Sequence, residues 1–131
     1  MKDLVIPATE VTPFVNFNIQ KGDFEIMGES RPENSASFFE PIFSWMEDFI
    51  IACESNHSIL SKINIRLHFT YFNSTSAKCL LTILGKFERI HTFGIGVKVD
   101  WYYEQQDIDM RNSGEEFSKV IHMPFSFIPV P

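Results

Sequence analysis

The clearest feature of this chain is a strict alternation of apolar and polar residues in two stretches. Lys62–Tyr71 and Phe93–Tyr103 both show this period of two, which predicts β-strands with one buried face. Weaker alternation predicts strands at Phe14–Ile19 and Phe24–Met27, joined by a glycine-containing turn, and a last short strand at Pro124–Ile128. In the first stretch the residues expected to face inward are Ile63, Ile65, Leu67, Phe69 and Tyr71.

Apolar residues spaced three and four apart predict helices between these strands. The first helix begins at an N-cap, either Asn34 or Ser35, and ends at Asn56-His57-Ser58. The second begins within Asn73-Ser74-Thr75-Ser76 and runs to about His91. Both helices are therefore bounded by residues that favour helix ends.

A third, weaker helical pattern covers Asp107–Lys119 and is interrupted at Asn112-Ser113-Gly114. The element order is then β-β-α-β-α-β-α-β, and strand–helix–strand units in series favour parallel neighbours. We expect one α/β domain over residues 1–131, with an open mixed sheet of about five strands and helices packed on it. Residues 1–13, which include Pro7 and Pro13, are expected to form a loose lead-in or a short edge element.

Composition narrows the class of protein. The 131 residues are 44 % hydrophobic and include 14 Phe, which is enough for a real core. No apolar run approaches the roughly 20 residues that span a bilayer, and the first residues lack the apolar stretch of a signal peptide. Two cysteines are too few for a disulfide scaffold. We therefore expect a cytoplasmic domain that does not bind membranes.

The net charge of −6 argues against nucleic-acid binding through broad phosphate neutralisation. This charge is unevenly spread, because residues 22–54 sum to −7, residues 55–103 to +4 and residues 104–131 to −3. The basic middle either pairs with acids across the fold or frames a site for a negative group. Pairing is the simpler interpretation.

Most motifs for catalysis or cofactor binding are missing from the sequence. Gly94-Ile95-Gly96 lacks the third glycine of a dinucleotide fingerprint, and the four histidines are too dispersed for a metal site, so we expect no cofactor and no metal. Cys79, at a helix start, is either a reactive thiol or, more simply, a buried one. The acids around Glu104 favour a solvated face, which together with Tyr102 and Tyr103 is the alternative candidate for partner contact.

The most informative segment is Tyr71-Phe72-Asn73-Ser74-Thr75-Ser76-Ala77-Lys78. Its hydroxyls lie between the end of a strand and the start of a helix, where functional loops of α/β sheets are found. One small polar residue suffices to cap a helix, and this segment has four in a row. A phosphate here would meet unpaired N–H groups and the positive end of the helix dipole. The segment therefore indicates either simple capping or a phosphorylation or anion site.

Five blocks of residues together resemble the SiaC family of bacterial regulatory phosphoproteins, from about residue 17 to the C-terminus. They are Gly28–Glu33, Phe38–Ile42, Trp45, Tyr71–Lys78 and Trp101–Glu104. The resemblance implies a fold similar to STAS-type anti-sigma-factor antagonists and no enzymatic activity. It also implies a cognate Ser/Thr protein kinase, a PP2C-type phosphatase, and a diguanylate cyclase that the unphosphorylated form binds and activates, which links the switch to cyclic-di-GMP and biofilm control.

The family acceptor is usually the Thr that directly follows the Asn, and in this chain that position is Ser74, with Thr75 as the second choice. An alternative function is a sensor that holds an anionic metabolite at the same helix start. An enzyme with Ser74 as nucleophile ranks third, because His68, the nearest histidine in sequence, has no evident orienting carboxylate. The residues expected to contact partners are Tyr71, Asn73, Thr75, Ser76, Lys78, Tyr102, Tyr103 and Glu104.

Overall fold

The computed structural model describes residues 1–56 and 59–131, in which one six-stranded sheet carries three helices. His57 and Ser58, expected at the end of the first helical unit, lie outside the described residues. The elements in chain order are β1 (Leu4–Ile6), β2 (Phe14–Asn18), β3 (Asp23–Ser30), α1 (Ser35–Ser55), β4 (Lys62–Phe72), α2 (Ser74–His91), β5 (Gly96–Glu104), α3 (Ile108–Val120) and β6 (Phe125–Val130).

The sheet is mixed, and its strands lie side by side in the order β1-β2-β3-β4-β5-β6. The first three strands are antiparallel neighbours, since they are joined by short connections. The last four strands are parallel, since a helix crosses over between each pair. The predicted open α/β sheet is confirmed, but it has six strands instead of about five, because part of the lead-in pairs with β2 as the edge strand β1.

A cluster of aromatic rings holds α1 and α2 on one face of the sheet. Phe24 of β3 is fully buried, and its ring centroid lies 5.3 Å from that of Phe49 and 5.4 Å from that of Phe87. The Phe24–Phe87 pair is edge-to-face, a geometry that adds to the free energy gained by burial. Trp45 Nε1 donates a hydrogen bond to the Lys2 carbonyl at 2.8 Å, which ties the N-terminal segment to α1.

A register shift near the end of β4 makes one residue that was predicted to face inward face outward. The pairing of β3 with β4 is regular as far as Gly28 and Phe69, after which Glu29 pairs with Tyr71 and Thr70 has no partner. The prediction that Tyr71 faces inward is therefore wrong, and its side chain is 48 % exposed. Phe72 packs in its place, 6.3 Å from Trp101 between ring centroids.

Helix α3 is continuous through the predicted interruption. Gly114 is buried, because the indole of Trp101 lies directly against its backbone. Trp101 Nε1 donates to the Met110 carbonyl at 3.0 Å, so the same ring fixes the helix at two points. Glycine is ordinarily unfavourable inside a helix, and this close contact explains why glycine is present here. Within the described residues, no helix is long and apolar enough to cross a membrane.

Candidate functional site

The loop between β4 and α2 is fixed by a small network of buried hydrogen bonds. Asn73 caps α2, because its side-chain oxygen accepts from the Ser76 amide at 2.8 Å. The backbone N–H of Asn73 and the Ser76 hydroxyl both donate to the Ser30 carbonyl, each at 3.0 Å. The hydroxyl oxygens of Ser30 and Ser76 lie 2.7 Å apart. The start of α2 is thereby attached to the end of β3.

This network distinguishes the hydroxyls of the segment by their exposure to solvent, which the sequence pattern did not do. Ser74 and Thr75 are the first two residues of α2, and both are exposed. Ser76 is fully buried and bonded to Ser30, so the expectation that Ser76 contacts a partner does not hold for this fold. Its role is to position the loop. The accessible hydroxyls of the segment belong to Ser74 and Thr75.

Three more of the expected contact residues surround these hydroxyls. Tyr71 is exposed at the end of β4, because the register shift turns it outward. Asn73 is half-buried by its capping role, and Lys78 is exposed one helical turn after Ser74. The structure therefore brings together Tyr71, Ser74, Thr75 and Lys78 on one surface.

The Trp-Tyr-Tyr-Glu block does not form the surface that was expected of it. Tyr103 is 8 % exposed and faces the helices, and its hydroxyl accepts a hydrogen bond from Arg111, whose pKa this bond raises. Tyr102 faces the opposite side of the sheet, where its ring centroid lies 5.9 Å from that of His68. Glu104 lies 3.8 Å from His68 Nε2. Strand alternation, already visible in the sequence, puts the two tyrosines on opposite faces.

The basic middle of the sequence does not become a basic patch around Ser74. Three of its cations pair with acids, Lys86 with Glu47, Arg66 with Glu25 at 3.7 Å, and Lys98 with Asp100 at 3.4 Å. The hydrogen bond from Lys86 lowers the pKa of the Glu47 carboxyl. Lys86 and Arg66 therefore pair across the fold, as the simpler interpretation predicts, whereas Lys98 pairs with an acid two residues along its own strand. Lys78 is the cation of residues 55–103 nearest to Ser74 in sequence.

Neither cysteine is activated as a nucleophile. Burial raises the pKa of Cys53 to about 11, and burial also raises the pKa of Cys79. Cys79 is half-buried and not fully buried as expected, and its raised pKa argues against a reactive thiol in spite of its place near a helix start. In the described part of the chain, no group of three or more His, Cys, Asp or Glu side chains is placed to hold a metal ion.

We expect both thiols to resist alkylation in the folded protein, because the thiolate is the reactive form. N-ethylmaleimide at pH 7 should modify Cys53 more slowly than the half-buried Cys79, and both should react rapidly in urea. The folded-state pKa of Cys53 lies above its ordinary value, so the unfolded chain ionises first and stability falls as pH rises from about 9 to about 11. Equal labelling rates in the presence and absence of urea would contradict this expectation.

Comparison with known proteins identifies the chain. The open α/β sheet presents two accessible hydroxyls at a helix start, where a partner protein can reach them. The chain belongs to the SiaC family of regulatory phosphoproteins, whose model matches residues 6–130. The predicted family is thus confirmed, and with it the prediction that the protein is a regulator and not an enzyme.

Relatives from Pseudomonas aeruginosa match nearly the whole chain. A curated protein of strain UCBPP-PA14, described only as uncharacterized, is 30 % identical over 126 residues, which cover 96 % of this chain and 95 % of that protein. The apo-SiaC crystal structure matches with a TM-score of 0.85 at 30 % identity, covering 98 % of this chain and 99 % of that one. SiaC in complex with the diguanylate cyclase SiaD, which it activates, matches with a TM-score of 0.86 at 29 % identity, covering 98 % and 100 %.

Proposed function

We propose that this protein is a phosphorylation switch that controls a diguanylate cyclase. In its unphosphorylated form it binds and activates the cyclase. The complex of the diguanylate cyclase SiaD with its activator SiaC from Pseudomonas aeruginosa supports the choice of partner. A Ser/Thr protein kinase turns the switch off and a PP2C-type phosphatase resets it. We place the switch in the cytoplasm and assign it to cyclic-di-GMP and biofilm control. We assign this function to one domain over residues 1–131.

The observation that carries this proposal is the separation of hydroxyls at the start of α2. Ser74 follows the capping Asn73, is exposed, and occupies the position of the family acceptor, whereas Ser76 is buried. Phosphorylation of Ser74 adds a charge of about −1.5 to −2 next to unpaired backbone N–H groups of the helix start. The phosphate therefore needs no change of fold to be accommodated. Thr75, also exposed, is the second candidate acceptor.

The phosphate acts on binding by electrostatics. A partner docked over Tyr71, Ser74 and Lys78 would have to desolvate a dianion at its interface, and the cost of that desolvation opposes binding. A kinase or phosphatase must reach the same hydroxyl, so its binding and that of the cyclase are mutually exclusive.

We expect phosphoserine at position 74 to weaken cyclase binding by about tenfold to thirtyfold, which corresponds to about 1.4 to 2 kcal/mol. Ser74→Ala should bind as the unmodified protein does, and Ser74→Asp should bind more weakly than Ser74→Ala. The measurement is titration calorimetry against each purified diguanylate cyclase of the host organism, with cyclase activity as a second readout. The matched control is Ser44→Asp, an exposed serine of α1 with the same change of charge.

Three outcomes would contradict the proposal. In the first, no cyclase of the organism binds the unphosphorylated chain. In the second, a cyclase binds with the same affinity whether or not Ser74 is phosphorylated. In the third, mass spectrometry of the protein from cells places the phosphate on neither Ser74 nor Thr75.

A further inference from the structure

The three helices cover one face of the sheet, and no helix of the described residues covers the other. Right-handed crossovers between parallel strands put α1, α2 and α3 on the same side, where Phe24 and Trp101 contact them. The side chains that alternate with these residues along β3, β4 and β5 lie on the opposite face, which we call the open face. Two neighbouring rows of side chains cross it, with Glu25, Arg66 and Asp100 in one and Met27, His68 and Tyr102 in the next.

The fold leaves hydrogen-bonding groups of the open face unused. Within residues 1–56 and 59–131, four buried side-chain atoms have no hydrogen-bond partner, and all four belong to the open face. They are Asn64 Oδ1, Arg66 Nε, His68 Nε2 and Asp100 Oδ1. Elsewhere the buried Ser76 hydroxyl and the Trp101 indole are both bonded. Since folded proteins pair nearly all buried polar groups, this concentration on one face indicates a functional surface.

A cavity of about 190 Å³ lies between the two rows of the open face. One wall consists of Arg66 and Glu25, whose side-chain nitrogen and oxygen lie 3.7 Å apart, which is longer than a hydrogen bond. The Arg66 side chain is 40 % exposed, so its terminal N–H groups reach the cavity. A guanidinium and a carboxylate thus stand side by side, and each has hydrogen-bonding capacity left for a ligand.

The other wall of the cavity is apolar and aromatic. It consists of Met27, which is 37 % exposed, and of the rings of His68 and Tyr102, whose centroids lie 5.9 Å apart with 32° between their planes. A flat ring packs favourably against a thioether and against aromatic side chains. The cavity therefore complements a planar molecule that has an apolar face and a polar edge.

The charges of the cavity decide which polar edge fits. Its lining has one acid, Glu25, and one base, Arg66, so their formal charges cancel and the net charge does not favour an anion. The lining instead favours a neutral edge with two acceptors for the guanidinium beside two donors for the carboxylate. Guanine has this edge, because O6 and N7 accept while N1–H and the 2-amino group donate. Adenine, cytosine and uracil each lack one of these pairs.

We propose that this cavity binds the guanine base of a nucleotide, with the phosphates outside it. Arg66 donates to O6 and N7, Glu25 accepts from N1–H and the 2-amino group, and the base stacks against Tyr102. The cavity and α2 lie on opposite faces of the sheet, so this site is separate from the Ser74 loop. The inference goes beyond the proposed function and does not depend on it.

The first test titrates the unmodified protein with a series of nucleotides. GMP should bind with a Kd of about 0.1 mM or tighter in calorimetry, and AMP about tenfold more weakly or worse. Two analogues, 7-deaza-GMP without the N7 acceptor and IMP without the 2-amino group, should each bind about threefold or more weaker than GMP. Absence of GMP binding at about 1 mM, equal affinities for GMP and AMP, or full affinity of either analogue would overturn the proposal.

Carriers of the same base distinguish the sources of the ligand. GMP, GTP and cyclic-di-GMP should all bind, because the phosphates lie outside the cavity. Tightest binding of cyclic-di-GMP would identify the product of a diguanylate cyclase as the source, and tightest binding of GTP would identify its substrate. Either result supports a guanine site, and binding of none of the three would contradict it.

The second test changes the two walls of the cavity. Arg66→Gln should weaken GMP binding by about tenfold or more, and the control Lys62→Gln should stay within about twofold of the unmodified protein. Lys62 is an exposed cation on the same strand and face, outside the lining of the cavity. Tyr102→Leu should weaken binding by about fivefold, and Tyr102→Phe, which keeps the ring, should not. Equal losses in Arg66→Gln and Lys62→Gln would show attraction of phosphate by charge alone and would overturn base recognition.

Thermal unfolding should show that all four variants fold, and the analogue series decides the question on the unmodified chain if one of them does not. The outcome is independent of the switch at Ser74. If GMP does not bind but phosphoserine 74 weakens cyclase binding, the switch stands and the site on the open face is wrong. If GMP binds selectively but phosphoserine 74 has no effect, the site stands and the switch is wrong.

Discussion

Gly114→Ala is expected to destabilise the protein by about 3 kcal/mol, because a single methyl group has no room at this position. A Cβ built on Gly114 lies 2.5 Å from Nε1 and 2.6 Å from Cδ1 of Trp101. The indole cannot swing away freely, because it is 1 % exposed and bonded to the Met110 carbonyl. Accommodating the methyl group therefore moves α3 or breaks that hydrogen bond. Thermal unfolding should show a fall in Tm of about 10 °C or more.

Gly85→Ala is the matched control, because it makes the same substitution inside a helix where no atom lies within 4 Å of the new Cβ. Alanine favours the helix over glycine, so this variant should be stabilised by about 0.5 to 1 kcal/mol. The two substitutions thus have opposite expected signs. If Gly114→Ala is as stable as the unmodified protein, the packing of Trp101 against α3 is wrong.

Ser76→Ala is expected to cost about 2 kcal/mol of unfolding free energy, the second largest effect, because it leaves buried polar groups without partners. It removes the hydroxyl that donates to the Ser30 carbonyl and lies 2.7 Å from the Ser30 hydroxyl. Both side chains are fully buried, so water cannot replace these bonds without opening the structure. Urea unfolding measures the loss, and exchange of the Asn73 backbone amide, which donates to the Ser30 carbonyl, should become faster.

A double-mutant cycle tests whether the two serines act as a pair. Ser30→Ala combined with Ser76→Ala should cost less than the sum of the single changes, by about 1 kcal/mol, because the double variant has fewer unpaired groups. Ser113→Ala is the control, a serine of α3 whose hydroxyl bonds only the Asp109 carbonyl of its own helix, and it should change stability little. Strict additivity of the Ser30 and Ser76 changes would contradict the coupling between α2 and β3.

The elements that the sequence predicted well are those set by local patterns. Helix α2 begins at Ser74 and ends at His91 as expected, because Asn73 is a strong cap and the apolar spacing is regular. Helix α1 begins after Asn34 for the same reason. The family was also identifiable from the sequence, because its short residue motifs can be recognised without knowing the rest of the fold.

The misplaced residues depend on contacts between segments distant in sequence. The exposure of Tyr71 comes from the pairing of β4 with β3, where Gly28 has a φ of +113° that favours glycine. The edge strand β1 exists only because β2 offers it hydrogen bonds. Tyr103 is the exception. Its burial could have been predicted from the sequence, because the alternation that placed Trp101 inward also places Tyr103 inward.

The sequence by itself determined the family, the element order from β2 onward and the helix start that carries Ser74. These follow from capping, from periodicity and from short motifs, all of which act over a few residues. Tertiary structure alone decided which hydroxyls are accessible, because Ser76 is buried by Ser30, which lies 46 residues earlier. It also decided that Lys86, Arg66 and Lys98 pair with acids. Such properties depend on contacts between segments that are distant in sequence, and local sequence patterns do not encode those contacts.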